Sequence, residues 1–425
     1  MFQLLPRLKR LWLYVRGSIA FVPALWVAGF ILLAVVMRYL EAKGLSNTLG
    51  GKGDFWIISS EETARTILSS VIGGILSLTV FSFSMVMIVL SQATTTLSPR
   101  LLPQLIRDRS HQNTLGLYLG VIMFAYLTLV GVNPRENWNM NSFSIFFTVL
   151  LAVVCLSFFV YFIASIARRI QVGEVIKDVH RRAVNDFKHW QSSPEGWSLR
   201  ALPQNVENWH PVKVISSGYV DVTLYSELSS LAGRFDTRFF LVHPRAEYVN
   251  RGEILFTSER PLTNDELQQT TEAVILTDNR EKEFWYLPAM RHITEVAVKA
   301  MSPGINDPGT AVEAVNLLSD LFLWLQRLPN FNHYQNGNKD GHLFFATRPF
   351  TDVLYRQLAQ LRTYSAADPA VMNSLAHLLK SLRHNIDDQE VLEAIERERE
   401  ALRKDGISKL HNEMDREHFL RALTG

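Results

Sequence analysis

The chain has 425 residues, 48% of them hydrophobic and 20% charged, which makes it too long for a mini-protein and too apolar for a disordered chain. Its single cysteine, Cys155, excludes an internal disulfide and a cysteine-rich metal site, and fits a reducing compartment. The formal net charge of +2 hides a split: residues 1–167 hold 12 of the 43 Lys+Arg and 6 of the 41 Asp+Glu, so the front is about +6 and the remainder about −4.

In chain order, residues 2–16 place leucines and aromatics among Arg7, Lys9, Arg10 and Arg16, a pattern that suits either a short interfacial helix on anionic lipid or a basic tail that sets topology. Four charge-free stretches follow at 19–37, 67–90, 114–132 and 143–167. Roughly 20 apolar residues cross a bilayer, so all four are expected to be spans. The first is too long for a signal-peptide core and lacks a small-residue cleavage site after it, so it reads as a retained anchor. With both termini inside, Lys and Arg near the span ends count twelve on the inner side and five on the outer. That bias predicts cytoplasmic termini in a bacterial inner membrane.

The second span differs from the others. Ser70, Ser77, Ser84, Ser91 and Ser98 recur every seven residues, with Gly73 and Thr94 interleaved, while Val80 and Met87 break the small-polar series. One helical face is therefore small and hydroxylated, and Ile72, Leu76, Phe83 and Ile88 lie off it. Small residues let helices approach closely, so the face suits a packing seam; hydroxyl rings from several copies would equally line a wet, uncharged path. No acid or base falls inside the four stretches, which argues against proton coupling. Beyond Ser98, Pro99 and Pro103 would break the helix, and Arg100, Arg107 and Arg109 would stand at the headgroup level as pore-mouth candidates or as ordinary positive-inside residues.

Residues 168–210 are expected to form a helical stalk and linker. Between 211 and 280, alternation at 218–224 and short runs at 239–242, 253–257 and 273–277 predict four or five strands in a small barrel or sandwich, with helical insertions at 226–231 and 264–270. Residues 281–425 read as helical. A helix over 283–301 should end at Pro303-Gly304, with Gly304 in the left-handed cap, and Asp307 should cap the next helix with Pro308 at its first position. Ser302, Gly304, Asn306 and Asp307 are thus either a tight corner or a ligand loop, although Asp307 would repel an anion there. Residues 331–342 look like an exposed loop, and Asp368 and Asp387-Asp388 open two further helices. His411, Asp415 and His418 have metal-compatible helical spacing, which chance in a charge-rich helix explains better. No nucleotide loop, zincin motif or nucleophile elbow occurs, so no catalytic residue, metal or cofactor is assigned and the chain reads as a non-enzyme. A mildly acidic C-terminal half without a basic recognition helix is unsuited to nucleic acid.

Three segments carry a resemblance: LSPRLLPQLIRDR at 97–109, YVDVTLYSELSSLA at 219–232, and AVKAMSPGINDPGTAVEAV at 297–315. Together they resemble the bacterial predicted membrane proteins of domain of unknown function 2254 over nearly the whole chain, SPGINDP being the most specific mark. The segment 280–285 departs from the family pattern of an Arg followed by a Gln-Asp pair. The resemblance implies four inner-membrane spans and a cytoplasmic C-terminal domain, and it supplies no mechanism. The expectation is therefore an α-helical membrane domain (1–167) plus a cytoplasmic α+β part with a small β-barrel or sandwich and a helical C-terminal region. In the bilayer it would assemble as a homo-oligomeric, channel-like conduit or as a non-conducting sensor with a cytoplasmic ligand that the sequence does not name.

Overall fold

The computed structural model describes residues 20–43, 60–96, 109–131, 142–169, 172–192, 195–274, 276–277, 286–336 and 341–424. The expected interfacial segment 2–16, Ser98, Pro99, Arg100, Pro103, Arg107 and the segment 280–285 lie outside them. The chain divides into two compact units, Met1–Glu174 and Val175–Gly425.

In the first unit, α1 (Phe21–Ala42), α2 (Glu61–Thr96), α3 (Arg109–Gly131) and α4 (Ser142–Arg169) are each long and apolar enough to cross a membrane. The charged residues of these helices, Arg38, Glu41, Glu61, Glu62, Arg65, Arg109, Arg168 and Arg169, lie toward helix ends in the chain, as does His111. Helix α3 is the hub, with more than half of its span buried. Tyr118, Val121 and Phe124 of α3 meet Leu68, Ile72 and Ile75 of α2, and Ile145 and Cys155 of α4, in one core. Close approach of α1 to α3 depends on Gly116 and Gly120, where a Cβ would run into Trp26 and Phe30. This small-xxx-small spacing lets two backbones pack tightly in lipid. Trp26 Nε1 donates to Asn113 Oδ1 across the same seam at 3.2 Å, and the buried Glu41 carboxylate accepts the Ser144 N–H at 2.8 Å in the first turn of α4. An anion at a helix N-terminus satisfies an amide that has no partner within the helix.

The second unit begins within α5 (Val172–Gln191), which buries Ile176, Val179, Ala183 and Phe187 on one stripe. Six strands, β1 (Trp197–Ser198), β7 (His333–Gln335), β8 (His342–Phe345), β4 (Arg238–Leu241), β6 (Ile254–Ser258) and β2 (His210–Lys213), form a sheet in that order. Only the β4–β8 pair is parallel. The sheet stays open at β1 and β2, so among the described residues the strands close no barrel. Its strands come from before residue 211 and beyond residue 280 as well as from the segment between. A two-stranded ribbon, β3 (Gly218–Tyr219) with β5 (Tyr248–Val249), lies apart from it in the pairing.

The alternation at 218–224 is only briefly a strand. Helix α6 (Val222–Arg234) takes over because Leu224, Tyr225, Leu228, Leu231 and Ala232 recur at helical spacing and are all buried, packing with Phe239, Leu241, Leu343 and Phe345 of the sheet. Likewise α7 (Asn264–Ala273) runs further than expected, started by a capping box between Thr263 and Glu266, and of the last predicted strand Thr277 makes one bridge to Tyr219. The described residues of the segment 331–342 do not form the expected exposed loop. They supply β7 and the start of β8, and His333 is fully buried. Helices α8 (Tyr286–Ala300), α9 (Pro308–Gln326), α10 (Phe350–Ser365), α11 (Pro369–Asn385), α12 (Gln389–Lys409) and α13 (Glu413–Thr424) complete the unit. Asp368 and Asp388 cap α11 and α12 through the N–H groups of Val371 and Val391. Helix α12 is less solvated than its charge suggests, burying Ile395, Glu398 and Leu402.

Candidate functional site

Helix α2 carries the stripe on the side away from its own bundle. Ala64, Leu68, Ile72, Ile75 and Ser82 point into the unit, whereas Ser70, Gly73, Ser77, Ser84 and Ser91 are exposed, about half a turn round the helix at 100° per residue. Leu76, Phe83 and Ile88 are exposed beside them. Thr94 lies in the last turn of α2 and Arg109 opens α3. A Cβ on Gly73 or Gly74 would meet nothing within 4 Å. Nothing in the protomer's own packing therefore requires those glycines. Ser77 Oγ donates to Gly73 O, and Ser84 Oγ to Val80 O, both at 2.9 Å. These bonds to the preceding turn occupy the hydroxyl protons and leave oxygen lone pairs directed outward.

The SPGINDP segment is an exposed corner between α8 and α9. Asp307 caps α9 as expected, its carboxylate accepting from Thr310 N at 3.1 Å and Thr310 Oγ1 at 2.6 Å, with Pro308 at the first helical position. These bonds hold the Asp307 carboxyl below its usual range. The left-handed residue is Asn306 (φ +47°), and Gly304 does not take a positive φ. The reason lies in the hydrogen bonds: the amides of Ile305 and Asn306 both bond to Ser302 O, and the Asp307 N–H returns to Ala300 O at 2.8 Å, so the chain reverses one residue before the cap. Ser302 Oγ is turned back onto Lys299 O at 2.6 Å. With the start of α9 occupied by its own carboxylate, the four candidates form a structural corner that disfavours an anion. His411 precedes α13, so it shares no helix with Asp415 and His418.

A site that sequence reasoning missed lies elsewhere in the second unit. A cavity of about 380 Å³ is lined by Arg245 from the turn after β4, Arg291 from α8, Arg348 just ahead of α10, and Arg356 within α10. Arg245 is 8% exposed, and the side chains of Arg291 and Arg348 are 14% and 13% exposed. Arg348 stands 3.5 Å from Glu247 and 3.6 Å from Asp352, Arg291 stands 3.7 Å from Glu295, and the exposed Arg356 stands 2.8 Å from Asp352. Burial pushes the nearby Tyr286 phenol up to about 12, against the opposing pull of the Arg245 and Arg348 charges. Ala246 in the wall holds φ +61°, a region L residues rarely occupy. The positions 245, 291, 348 and 356 share no local motif; only the fold brings them together.

Across the paired strands β7 and β8, His333 Nδ1 stands 2.9 Å from Ser198 Oγ and its Nε2 stands 3.0 Å from His342 Nδ1, so one ring nitrogen donates and the other accepts according to the tautomer. Burial, helped by the charge of Arg200 and by His342, pulls its pKa down to about 4. Among the described residues, no group of three or more His, Cys, Asp or Glu has metal-holding geometry.

Four helices long and apolar enough to cross a membrane, joined in sequence to a mixed-sheet and helical unit, mark the chain as a membrane protein. The chain belongs to the predicted membrane protein family DUF2254, whose pattern matches residues 16–381. It is 25% identical over 400 residues to uncharacterized proteins of Mycobacterium bovis and Mycobacterium tuberculosis, covering 91% of this chain and 75% of each relative. No solved structure matches it.

Proposed function

We propose that this membrane protein is a homo-oligomeric, non-enzymatic conduit for small ions in a bacterial inner membrane, with both termini and the second unit in the cytoplasm and with α2 from each copy facing a common axis. The observation that carries this reading is the position of Gly73, Gly74 and the exposed serines opposite the face of α2 that packs its own bundle. A glycine inside a helix costs about 1 kcal/mol relative to alanine, and contacts within one copy do not repay that. Close approach of another helix would, and small residues are what such seams use. Serine oxygens with their protons already engaged can replace part of an ion's hydration shell without adding a fixed charge.

In a Cys155→Ser background, Ser77→Cys, Ser84→Cys and Ser91→Cys are expected to react with membrane-impermeant thiol reagents, and Phe83→Cys is not. Reconstituted vesicles should pass ions, and the flux should fall when the reacted positions carry the adduct. Four equally inert thiols, or vesicles that pass no ion, refute the conduit. The same bonds of Ser77 and Ser84 to the preceding turn favour a second reading, in which the stripe packs dry and the assembly is a non-conducting sensor or scaffold. Inert serine positions combined with a stable oligomer would select it.

A further inference from the structure

A hydroxyl buried in a membrane bundle is satisfied by its own helix, by a neighbouring helix or by an ordered molecule, because acyl chains offer it no partner. On α2 three hydroxyls take the first route: Ser77 Oγ, Thr79 Oγ1 and Ser84 Oγ each donate to the carbonyl four residues back, at 2.8 to 2.9 Å. Ser82 does not. Ser82 and Tyr118 of α3 are both 0% exposed, and neither Ser82 Oγ nor the Tyr118 hydroxyl meets any group at hydrogen-bond length and angle. An interaction still reaches from the Tyr118 hydroxyl to Ser82 and to the thiol of Cys155 on α4, which is likewise 0% exposed. All three residues lie well inside their helices, so three elements bring polar groups to one place in the apolar core of the bundle. A direct bond between the two hydroxyls would use one O–H and leave the other without an acceptor, and an orphaned donor in such surroundings is costly. A single water accepts both hydroxyl protons on its two lone pairs and keeps its own protons for acceptors such as the Cys155 sulfur.

We infer that an ordered water molecule is bound between Ser82 and Tyr118, with the Cys155 thiol as its third contact, and that it joins α2, α3 and α4 inside a single copy. The proposal goes beyond the conduit and stands whether or not α2 helices meet, because Ser82 lies on the bundle side of α2, away from the exposed serines. By holding Ser82 inward the water fixes the rotation of α2 about its axis, and with it the outward setting of the stripe.

The test uses the full-length protein in lipid nanodiscs, with its structure determined at a resolution that shows ordered water. One peak is expected at about 2.7 to 3.0 Å from both Ser82 Oγ and the Tyr118 hydroxyl. Thermal unfolding of Ser82→Ala, Tyr118→Phe and the double variant supplies a second readout whose sign is informative. Removing a hydroxyl that has no partner raises stability, whereas removing one that holds a shared water lowers it. Each single variant should therefore unfold about 2 to 4 °C below the parent. The double variant should fall no further than the larger single loss, because the same water is released in all three. Ser157→Ala, which removes an exposed hydroxyl bonded to Val153 O of its own helix, should leave the midpoint in place. If a variant fails to fold, the density in the unmodified chain decides the matter. The two hydroxyls bonded directly to each other with no water peak, single variants as stable as the parent or more so, or losses that add in the double variant would each overturn the inference.

Discussion

Ala246 carries a conformational cost that can be measured directly. An L residue in the left-handed region is disfavoured by about 1 kcal/mol, whereas glycine enters it freely. Ala246→Gly should raise thermal stability by up to about 1 kcal/mol, offset in part by the greater freedom of glycine in the unfolded chain. If Ala246→Gly instead destabilises, the wall of the cavity is held by the methyl group and not against strain. His333 makes a prediction in pH. Its folded pKa of about 4 lies below the ordinary value of 6.5, so the unfolded chain takes up the proton first. The contribution from the neutral imidazole is full above pH 6.5 and is lost as the pH falls from about 6.5 toward 4, on the order of 2 to 3 kcal/mol. Chemical denaturation of the parent and His333→Gln proteins should show stabilities that converge as the pH drops through this window. A difference that stays constant with pH contradicts the assignment. Neither residue announces itself in the sequence, because strain and desolvation are imposed by neighbours distant in the chain.

Between elements, the contrast of interest is buried against exposed charge. Arg362 of α10 donates to Glu398 of α12 at 3.1 Å and to Asp405 at 2.9 Å; burial holds the Glu398 carboxyl above its usual range despite the arginine. Arg362→Ala leaves that carboxylate without its counter-charge and should cost about 3 kcal/mol in equilibrium unfolding. Arg403→Ala, which removes only an exposed pair with Glu400, should fall within about 0.5 kcal/mol of the parent. Equal costs would mean that α10 and α12 are held by apolar contacts alone. Sequence patterning located α12 and its Asp388 cap from local signals, but its charge density concealed the buried stripe of Ile395, Glu398 and Leu402. The opposite error occurred at 218–224, where a short alternation suggested a strand and the longer helical period of Leu224 to Ala232 won.

At the scale of the molecule, the proposed assembly through the exposed face of α2 can be tested by filling that face. A Cβ at Gly73 meets no atom of its own copy within 4 Å, so Gly73→Leu should leave the protomer fold intact while blocking the proposed seam between copies. Native mass measurement in mild detergent should therefore shift from an oligomer to a single chain with unchanged helical content. Gly120→Leu is the counterpart inside the protomer: its side chain collides with Phe30 and should unfold or expand the unit. If Gly73→Leu leaves the assembly state untouched, α2 does not form the contact between copies.

The sequence by itself determined the four apolar helices, the hydroxylated stripe on the second of them, the caps at Asp307, Asp368 and Asp388, and the short strands at Arg238–Leu241 and Ile254–Ser258. Each of these depends on length, periodicity or a contact within four residues, so local physics suffices. Only the tertiary structure decided that the stripe turns away from its own bundle, that β8 pairs parallel to β4 a hundred residues earlier, and that four dispersed arginines enclose one cavity. Those outcomes depend on which faces find partners far along the chain, and periodicity within one element carries no information about what the neighbouring element presents.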